Sequence, residues 1–385
     1  MDQGNKPKIH VLEIVGSQVG GIRKHVHSIL FNLDERNFKF SYAYSTVTCD
    51  AKFYADLEKI ASYLEGGLVP LVMNRQPSLR DVINLLKIGW YLAKNDIDIV
   101  HGHGAKGGFY ARILGRLFGI KTIYTPHGGT AHNMFSPLGN ALYTAIEKTL
   151  FYWTDYFLFE SSYTANAYQS KVKKIPRHWR INHNGVTKVV VKPYFLAKEA
   201  AETGEFMTRI GVFGMLRREK GQIYAVEALT YVLEQQYDVS LHLFGDGPTG
   251  EQLMEAVDCL QLRDRVFFHG DVADVECHMR EMDIVLIPSL YESFGYVAAE
   301  AMALEKPVIA TRVGGLCEVL QDGITAILVA AANPQDIASA ILTYLKEPNR
   351  ALEYSKAGYE RFQEMFTEER MCRVIAETYQ RVMDT

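Results

Sequence analysis

The sequence predicts an α/β protein built from two doubly wound parallel-sheet domains. Apolar runs of strand length alternate with helix-length segments along almost the whole chain. The 385 residues are enough for two such domains. Glycines and charged residues recur just after the strands, where open α/β sheets bind their ligands.

In chain order, Lys8 to Val15 (KIHVLEIV) reads as a buried first strand. Gly16 to Gly21 follows as a glycine-bearing turn, then a helix to about Leu33. The spacing is not GxGxxG and no acid ends the second strand, Phe40 to Ser45, so the turn does not point to an NAD-type dinucleotide site. The alternation continues with a helix at Phe53–Leu64, a strand at Leu68–Val72 and a helix at Ser78–Lys94. A strand at Ile99–Gly102, a helix at Gly107–Phe118 and a strand at Thr122–Thr125 come next. The expected first domain is residues 1–190, and the polar stretch Lys192 to Glu205 marks a linker over 191–206. A second series begins at Arg209–Phe213 and continues through strands at Val239–Phe244, Val266–Phe268, Ile284–Ile287, Val308–Ala310 and Ala326–Val329. That domain is expected over 207–366, with a helical tail whose last segment, 367–385, reaches back to the first domain. The architecture repeats, but the sequence does not.

Composition narrows the function. A formal charge of −4 argues against nucleic-acid binding by bulk charge. Five scattered cysteines without a CxxC pair fit reduced thiols in a cytoplasmic protein, not a zinc ribbon or disulfide frame. MDQGNKPK has no apolar core of signal-peptide length, and no apolar run is long enough to span a bilayer. A cytoplasmic chain, with at most peripheral membrane contact, is expected.

The richest stretch is Pro288 to Ala303, PSLYESFGYVAAEAMA. A short buried strand precedes it, Gly295 sits at the turn, and an Ala-rich helix follows. Glu292 and Glu300 frame that junction. Helix N–H groups suit an anion, and carboxylates suit sugar hydroxyls. The plain alternative is that Glu292 favours the helix N-terminus and Glu300 faces water. Gly214 to Gly221 (GMLRREKG), Gly245 to Pro248 (GDGP) and Thr311 to Glu318 (TRVGGLCE) follow other strands of the same series. Their convergence on the rim that carries Glu292 favours a ligand site, with cations placed for a diphosphate.

Other features are weaker. Asp96-Ile-Asp98 matches a DxD metal pattern but lies at the start of a strand, away from the ligand crevice, and reads as a polar turn. His25-Val-His27 and His101-Gly-His103 look like metal pairs, yet no acid or thiol cluster accompanies them in sequence, so no metal site is expected. Thr125-Pro-His127-Gly128-Gly129 ends a buried strand at the crevice. Leu142 to Arg180 is aromatic and increasingly basic, ending with Lys171, Lys173, Lys174, Arg177 and Arg180 around Trp179. It reads either as a solvated loop after a core helix or as an edge meeting anionic lipid or a lipid-diphosphate acceptor.

Taken together, these motifs resemble the retaining glycosyltransferases of family four, with the GT-B fold of two Rossmann-like domains facing across a cleft. The E-x7-E motif is Glu292-Ser-Phe-Gly-Tyr-Val-Ala-Ala-Glu300, and the first glycine turn is Gly20-Gly21. His127-Gly128, Asn184-Gly185-Val186, Gly245 to Pro248, and Gly314-Gly315-Leu-Cys-Glu318 follow the family order. The resemblance implies that Glu300 holds the ribose hydroxyls of a nucleotide and Glu292 the donor sugar. It implies that backbone N–H groups near Phe294 and Gly295 meet the sugar or phosphates, and that Lys220 neutralises the leaving diphosphate. Gly20 and Gly21 would let backbone approach the phosphates, and His127 would line the reaction centre. The family's usual arginine after the glycine is replaced by Met215, which leaves Arg217 or Arg218 as the substitute. Ala326 stands where a late turn often has glycine.

The expected activity is metal-independent transfer of a hexose, with retention, from a nucleotide sugar to a glycan or lipid-linked glycan, UDP being the preferred base. Such a reaction serves surface polysaccharide or glycoconjugate synthesis, needs no cofactor and involves no nucleic acid. A sugar-nucleotide epimerase of the same fold, a glycogen- or sucrose-type synthase and a non-catalytic sugar-nucleotide binder are the rivals.

Overall fold

The structure, a computed structural model, describes residues 7–34, 37–47, 49, 51–74, 76–128, 137–189 and 207–385. Two compact units divide the chain: Met1–Gly185 with Glu368–Thr385, and Val186–Thr367. The chain thus changes unit after Gly185 and again after Thr367, while the expected linker, 191–206, lies outside the described residues.

The first unit runs β1 (Ile9–Val15), α1 (Gly20–Asn32), β2 (Phe38–Ser45), α2 (Ala51–Tyr63), β3 (Gly67–Leu71), α3 (Arg80–Lys94) and β4 (Ile99–His103). It continues with α4 (Gly104–Phe118), β5 (Lys121–Thr125), α5 (Pro137–Leu150), β6 (Tyr156–Phe159), α6 (Ser162–Val172) and β7 (Trp179–Ile181). All seven strands are parallel, in the order β3-β2-β1-β4-β5-β6-β7. β1 is buried on both faces. Its Val11 and Val15 pack with Val26 and Ile29 of α1, while Leu12 and Ile14 pack with Tyr110 and Leu114 of α4.

The expectation of one basic edge over Leu142–Arg180 misses two core elements. Tyr156–Phe159 is a fully buried strand, and α6 is capped by Ser161, whose side chain accepts from the Thr164 N–H. Four apolar residues are too short a run to stand out in so aromatic a stretch. Within it, Glu147 is bidentate to the buried Arg112, at 2.7 and 3.0 Å, and ties α5 to α4.

The second unit runs β8 (Thr208–Phe213), α7 (Gln222–Glu234), β9 (Val239–Phe244), α8 (Gly250–Cys259), β10 (Val266–Gly270), α9 (Val275–Arg280) and β11 (Ile284–Ile287). Then come α10 (Tyr296–Ala303), β12 (Val308–Thr311), α11 (Leu316–Val319), β13 (Ile327–Val329), α12 (Pro334–Lys346) and α13 (Pro348–Met365). The sheet order is β10-β9-β8-β11-β12-β13. This repeats the central order of the first unit, so each unit has one switch point where successive strands diverge: β1/β4 in the first, β8/β11 in the second. Ala326 needs no glycine geometry: it is buried, and its carbonyl accepts from the Gly323 N–H at 2.9 Å.

The last helix, α14 (Glu368–Met383), belongs to the first unit. Met371, Cys372, Ile375, Tyr379 and Val382 line one side of it and join the core beside α1 and β2. Among the described residues, no helix is long and apolar enough to cross a membrane.

Candidate functional site

In the second unit, the predicted residues gather at the β8/β11 switch point. After β8 the chain passes Met215, whose carbonyl accepts from the Gln222 side chain, and enters a 3-10 turn over Arg218–Lys220. Gly221 closes that turn with φ of 65°, and a Cβ there would stand 2.1 Å from the Pro288 carbonyl oxygen. Only glycine lets this turn lie against the end of β11. The Leu290 and Tyr291 N–H groups both donate to the Glu219 carbonyl, which fastens the two loops together. Lys220 Nζ then reaches Glu292 Oε2 at 2.6 Å. The loop after β12 joins them, with the Gly315 N–H donating to the Glu292 carbonyl at 2.9 Å.

Gly295, with φ of 110°, is the N-cap of α10 and brings no side-chain cap. The helix therefore starts directly beside Glu292, with no acid in its first turn. Phe294 is buried in the core and fixes the loop, and Glu300 is half-buried on α10. Arg217 and Arg218 are both exposed, and among the described residues neither pairs with a carboxylate. The cradle thus offers one seated cation, two exposed guanidinium groups, two carboxylates and a helix N-terminus. Those are the groups a sugar diphosphate needs.

In the first unit, the β1/β4 switch point carries a buried polar cluster. β1 and β4 align with Glu13 beside His101. Glu13 Oε2 accepts from His103 Nε2 at 2.7 Å, and Glu13 Oε1 accepts from the Tyr379 hydroxyl at 2.7 Å. His101 Nδ1 lies 2.8 Å from the Tyr379 oxygen, and its Nε2 lies 2.9 Å from Thr125 Oγ1. His103 Nδ1 and His127 Nε2 are 3.0 Å apart. Burial pushes the Glu13 carboxyl up, but His101 and His103 outweigh it and hold the group well below the usual carboxylate range. Burial also lowers His103 to about 4 and holds His127 well below the ordinary imidazole range. An ionised Glu13 with neutral His103 and His127 rings fixes the proton positions along this chain. His103 donates from Nε2, so its Nδ1 accepts from His127 Nε2–H, which leaves His127 Nδ1 as an acceptor.

This corrects the expectation that the histidine pairs have no acid near them. Glu13 supplies one from within the first strand, where a lone carboxylate in KIHVLEIV is the signal that sequence reasoning passed over. The two pairs divide. His25 joins the cluster, with Nδ1 2.8 Å from Asn184 Oδ1 and its ring 4.8 Å from that of His127. His27 lies 3.4 Å from Asp56 of α2 instead. By ligand type, His25 with His103 and His127, or Glu13 with His101 and His103, could hold a metal ion. His127 has φ of 49° and is partly exposed, as the open member of the cluster; Gly129 lies outside the described residues. Gly20 and Gly21 open α1, which has no side-chain cap, and a Cβ at Gly20 would meet nothing within 4 Å.

The other features are structural. Asp98 accepts from the His10 N–H at 2.8 Å, and the Asp96 carbonyl bonds the His10 ring, so the DxD pair closes a turn before β4. At the basic edge, Arg180 pairs with Glu377 at 3.1 Å, and Lys174 Nζ sits 4.1 Å from the Tyr152 ring centroid.

Comparison with known proteins identifies the family of both units. Residues 19–188 match the domain described as Glycosyltransferase Family 4, and residues 208–347 match Glycosyl transferases group 1. An uncharacterized glycosyltransferase of Methanocaldococcus jannaschii is 26% identical over 98% of this chain and 99% of its own. The lipopolysaccharide core biosynthesis mannosyltransferase LpcC of Rhizobium leguminosarum is 28% identical over 52% of this chain and 60% of its own. The crystal structure of Anabaena HepE in complex with UDP superposes with a TM-score of 0.79 at 22% identity, covering 97% of this chain and all of that one. The comparisons favour neither an epimerase nor a non-catalytic binder. The chain belongs to the GT-B glycosyltransferases, a Glycosyltransferase Family 4 domain followed by a Glycosyl transferases group 1 domain.

Proposed function

We propose that this chain transfers a hexose, with retention, from a UDP-sugar to a glycan or lipid-linked glycan acceptor, and that the reaction needs no metal. The observation that carries the reading is the Lys220–Glu292 pair, seated at the switch point of the second unit beside the N-terminus of α10. The solved structures of HepE with UDP, and with UDP and glucose, support the donor class, and the name of LpcC supports a surface-glycan acceptor.

Glu292 holds Lys220 in place before the donor arrives. When the diphosphate enters, the ammonium turns to it and the carboxylate takes up sugar hydroxyls. Glu300 accepts hydrogen bonds from the ribose. The anomeric carbon–oxygen bond breaks, and charge grows on the departing diphosphate. Lys220, Arg217 or Arg218, and the α10 amides stabilise that charge, which is the work a metal would otherwise do. The acceptor hydroxyl attacks the same face of the sugar, and its proton passes to the leaving phosphate oxygen. His127, in the first unit, presents Nδ1 as an acceptor for a hydroxyl.

A calorimetric titration tests the donor site. A hydrogen bond to a charged group contributes about 1.5–3 kcal/mol, so Glu300→Gln should weaken UDP binding roughly ten- to a hundred-fold. Unchanged affinity in a folded variant would remove Glu300 from the ribose.

A further inference from the structure

We propose that the outer face of α3 is a membrane-docking surface that lays this chain on an anionic lipid bilayer. The inner side of α3 is ordinary: Asn84, Ile88 and Leu92 are buried in the first unit. The outer side is not. Leu79, one residue before the helix, is 86% exposed, and Val82, Ile83, Leu86 and Trp90 are 56, 61, 69 and 63% exposed. Their spacing of three and four residues puts them on one stripe. Single exposed apolar side chains are commonplace on protein surfaces; four in line on one helix, with a fifth at its N-cap, mark a contact surface.

Charge selects the occupant. Arg80, Lys87 and Lys94 are the charged residues exposed on α3, and Lys94 Nζ lies 3.9 Å from the Trp90 ring centroid. The helix has one acid, Asp81, and it is turned away to bond Lys106 and the Tyr110 hydroxyl. A second copy of this face would set cation against cation. Anionic head groups attract the cations, while the head-group boundary takes up leucine, isoleucine and tryptophan. At 15 residues, α3 is too short to span a bilayer, so it lies in the plane of the interface. The edge at 171–180, expected from sequence to meet lipid, also exposes three cations, Lys173, Lys174 and Arg177, but they lie at and beyond the end of α6, with no apolar stripe at helical spacing beside them. The proposal rests on the surface of α3, independently of the donor chemistry.

Co-sedimentation of the full chain with vesicles tests it, using phosphatidylcholine alone and phosphatidylcholine with phosphatidylglycerol. Binding is expected to the anionic vesicles and to fall with added salt. The triple variant Ile83→Ser, Leu86→Ser, Trp90→Ser should lower partitioning at least about tenfold. Arg80→Gln and Lys94→Gln should each lower it about fivefold. All these side chains are exposed, and circular dichroism checks that the variants fold. The edge variant Lys173→Gln, Lys174→Gln, Arg177→Gln should bind like the parent. Absence of binding to anionic vesicles, or equal binding by the α3 triple variant, would overturn the proposal. So would a dimer, seen by light scattering, that the triple variant abolishes, because the face would then belong to a second copy.

Discussion

At the scale of single residues, the chemistry rests on a few charges held in neutral surroundings. His25 and His103 are buried, His127 is partly so, and all three are uncharged in the folded first unit, with His25 lowered by burial to about 3 and His103 to about 4, against 6.5 for the free side chain. Unfolding exposes imidazoles that bind protons more readily. The stability they contribute is therefore complete above pH of about 6.5 and is lost as pH falls toward about 4. The depressed Glu13 carboxyl adds stability that persists until the pH drops below the ordinary carboxylate range. Urea midpoints across that window should fall steadily, and His25→Phe should flatten the slope; a flat profile in the parent would show that the cluster is already protonated. Part of this was legible in sequence. His127, Glu292, Glu300 and Lys220 all follow strands and stood out. Glu13 did not, because an acid inside a strand gives no sign of which neighbours the sheet will bring to it. Tyr379 was equally hidden, lying 366 residues from its partner Glu13.

At the scale of elements, glycines decide how closely the loops approach. Gly221 is the clearest case, since its left-handed backbone and missing Cβ let the Lys220 turn rest against Pro288. Gly221→Ala should destabilise the second unit by about 1–3 kcal/mol through backbone strain and should weaken UDP binding by displacing Lys220. Denaturation and nucleotide titration of one variant read both effects, and unchanged affinity would detach Lys220 from the diphosphate. The strand series of both units could be read from sequence because buried parallel strands are short apolar runs bounded by glycines and charges. Tyr156–Phe159 escaped because its flanks are as aromatic as the strand itself. The outer stripe of α3 escaped for a related reason: helical periodicity reports apolar faces, and a helix with two of them looks simply hydrophobic until burial separates them.

At the scale of the molecule, the two units are built differently from the chain. Val186–Thr367 is continuous and has its own two core layers. The first unit is discontinuous, because α14 returns to it and brings five buried apolar side chains together with the hydroxyl that bonds Glu13. Burying one such side chain contributes about 1.5–3 kcal/mol, so losing α14 removes more than a small domain can spare. A fragment of residues 186–367 should fold cooperatively and bind UDP, whereas residues 1–185 alone should show no cooperative unfolding transition. Stable folding of residues 1–185 would make α14 an accessory.

The central claim is that Lys220, Glu292 and Glu300 form one donor site. The most direct measurement is slow release of nucleotide from a panel of UDP-, GDP- and ADP-sugars without acceptor or added metal, beside Glu292→Ala and Glu300→Ala. The account predicts release from UDP-sugars by the parent and its loss in both variants. Release that survives both substitutions, or an isomerised sugar nucleotide as the product, would contradict it.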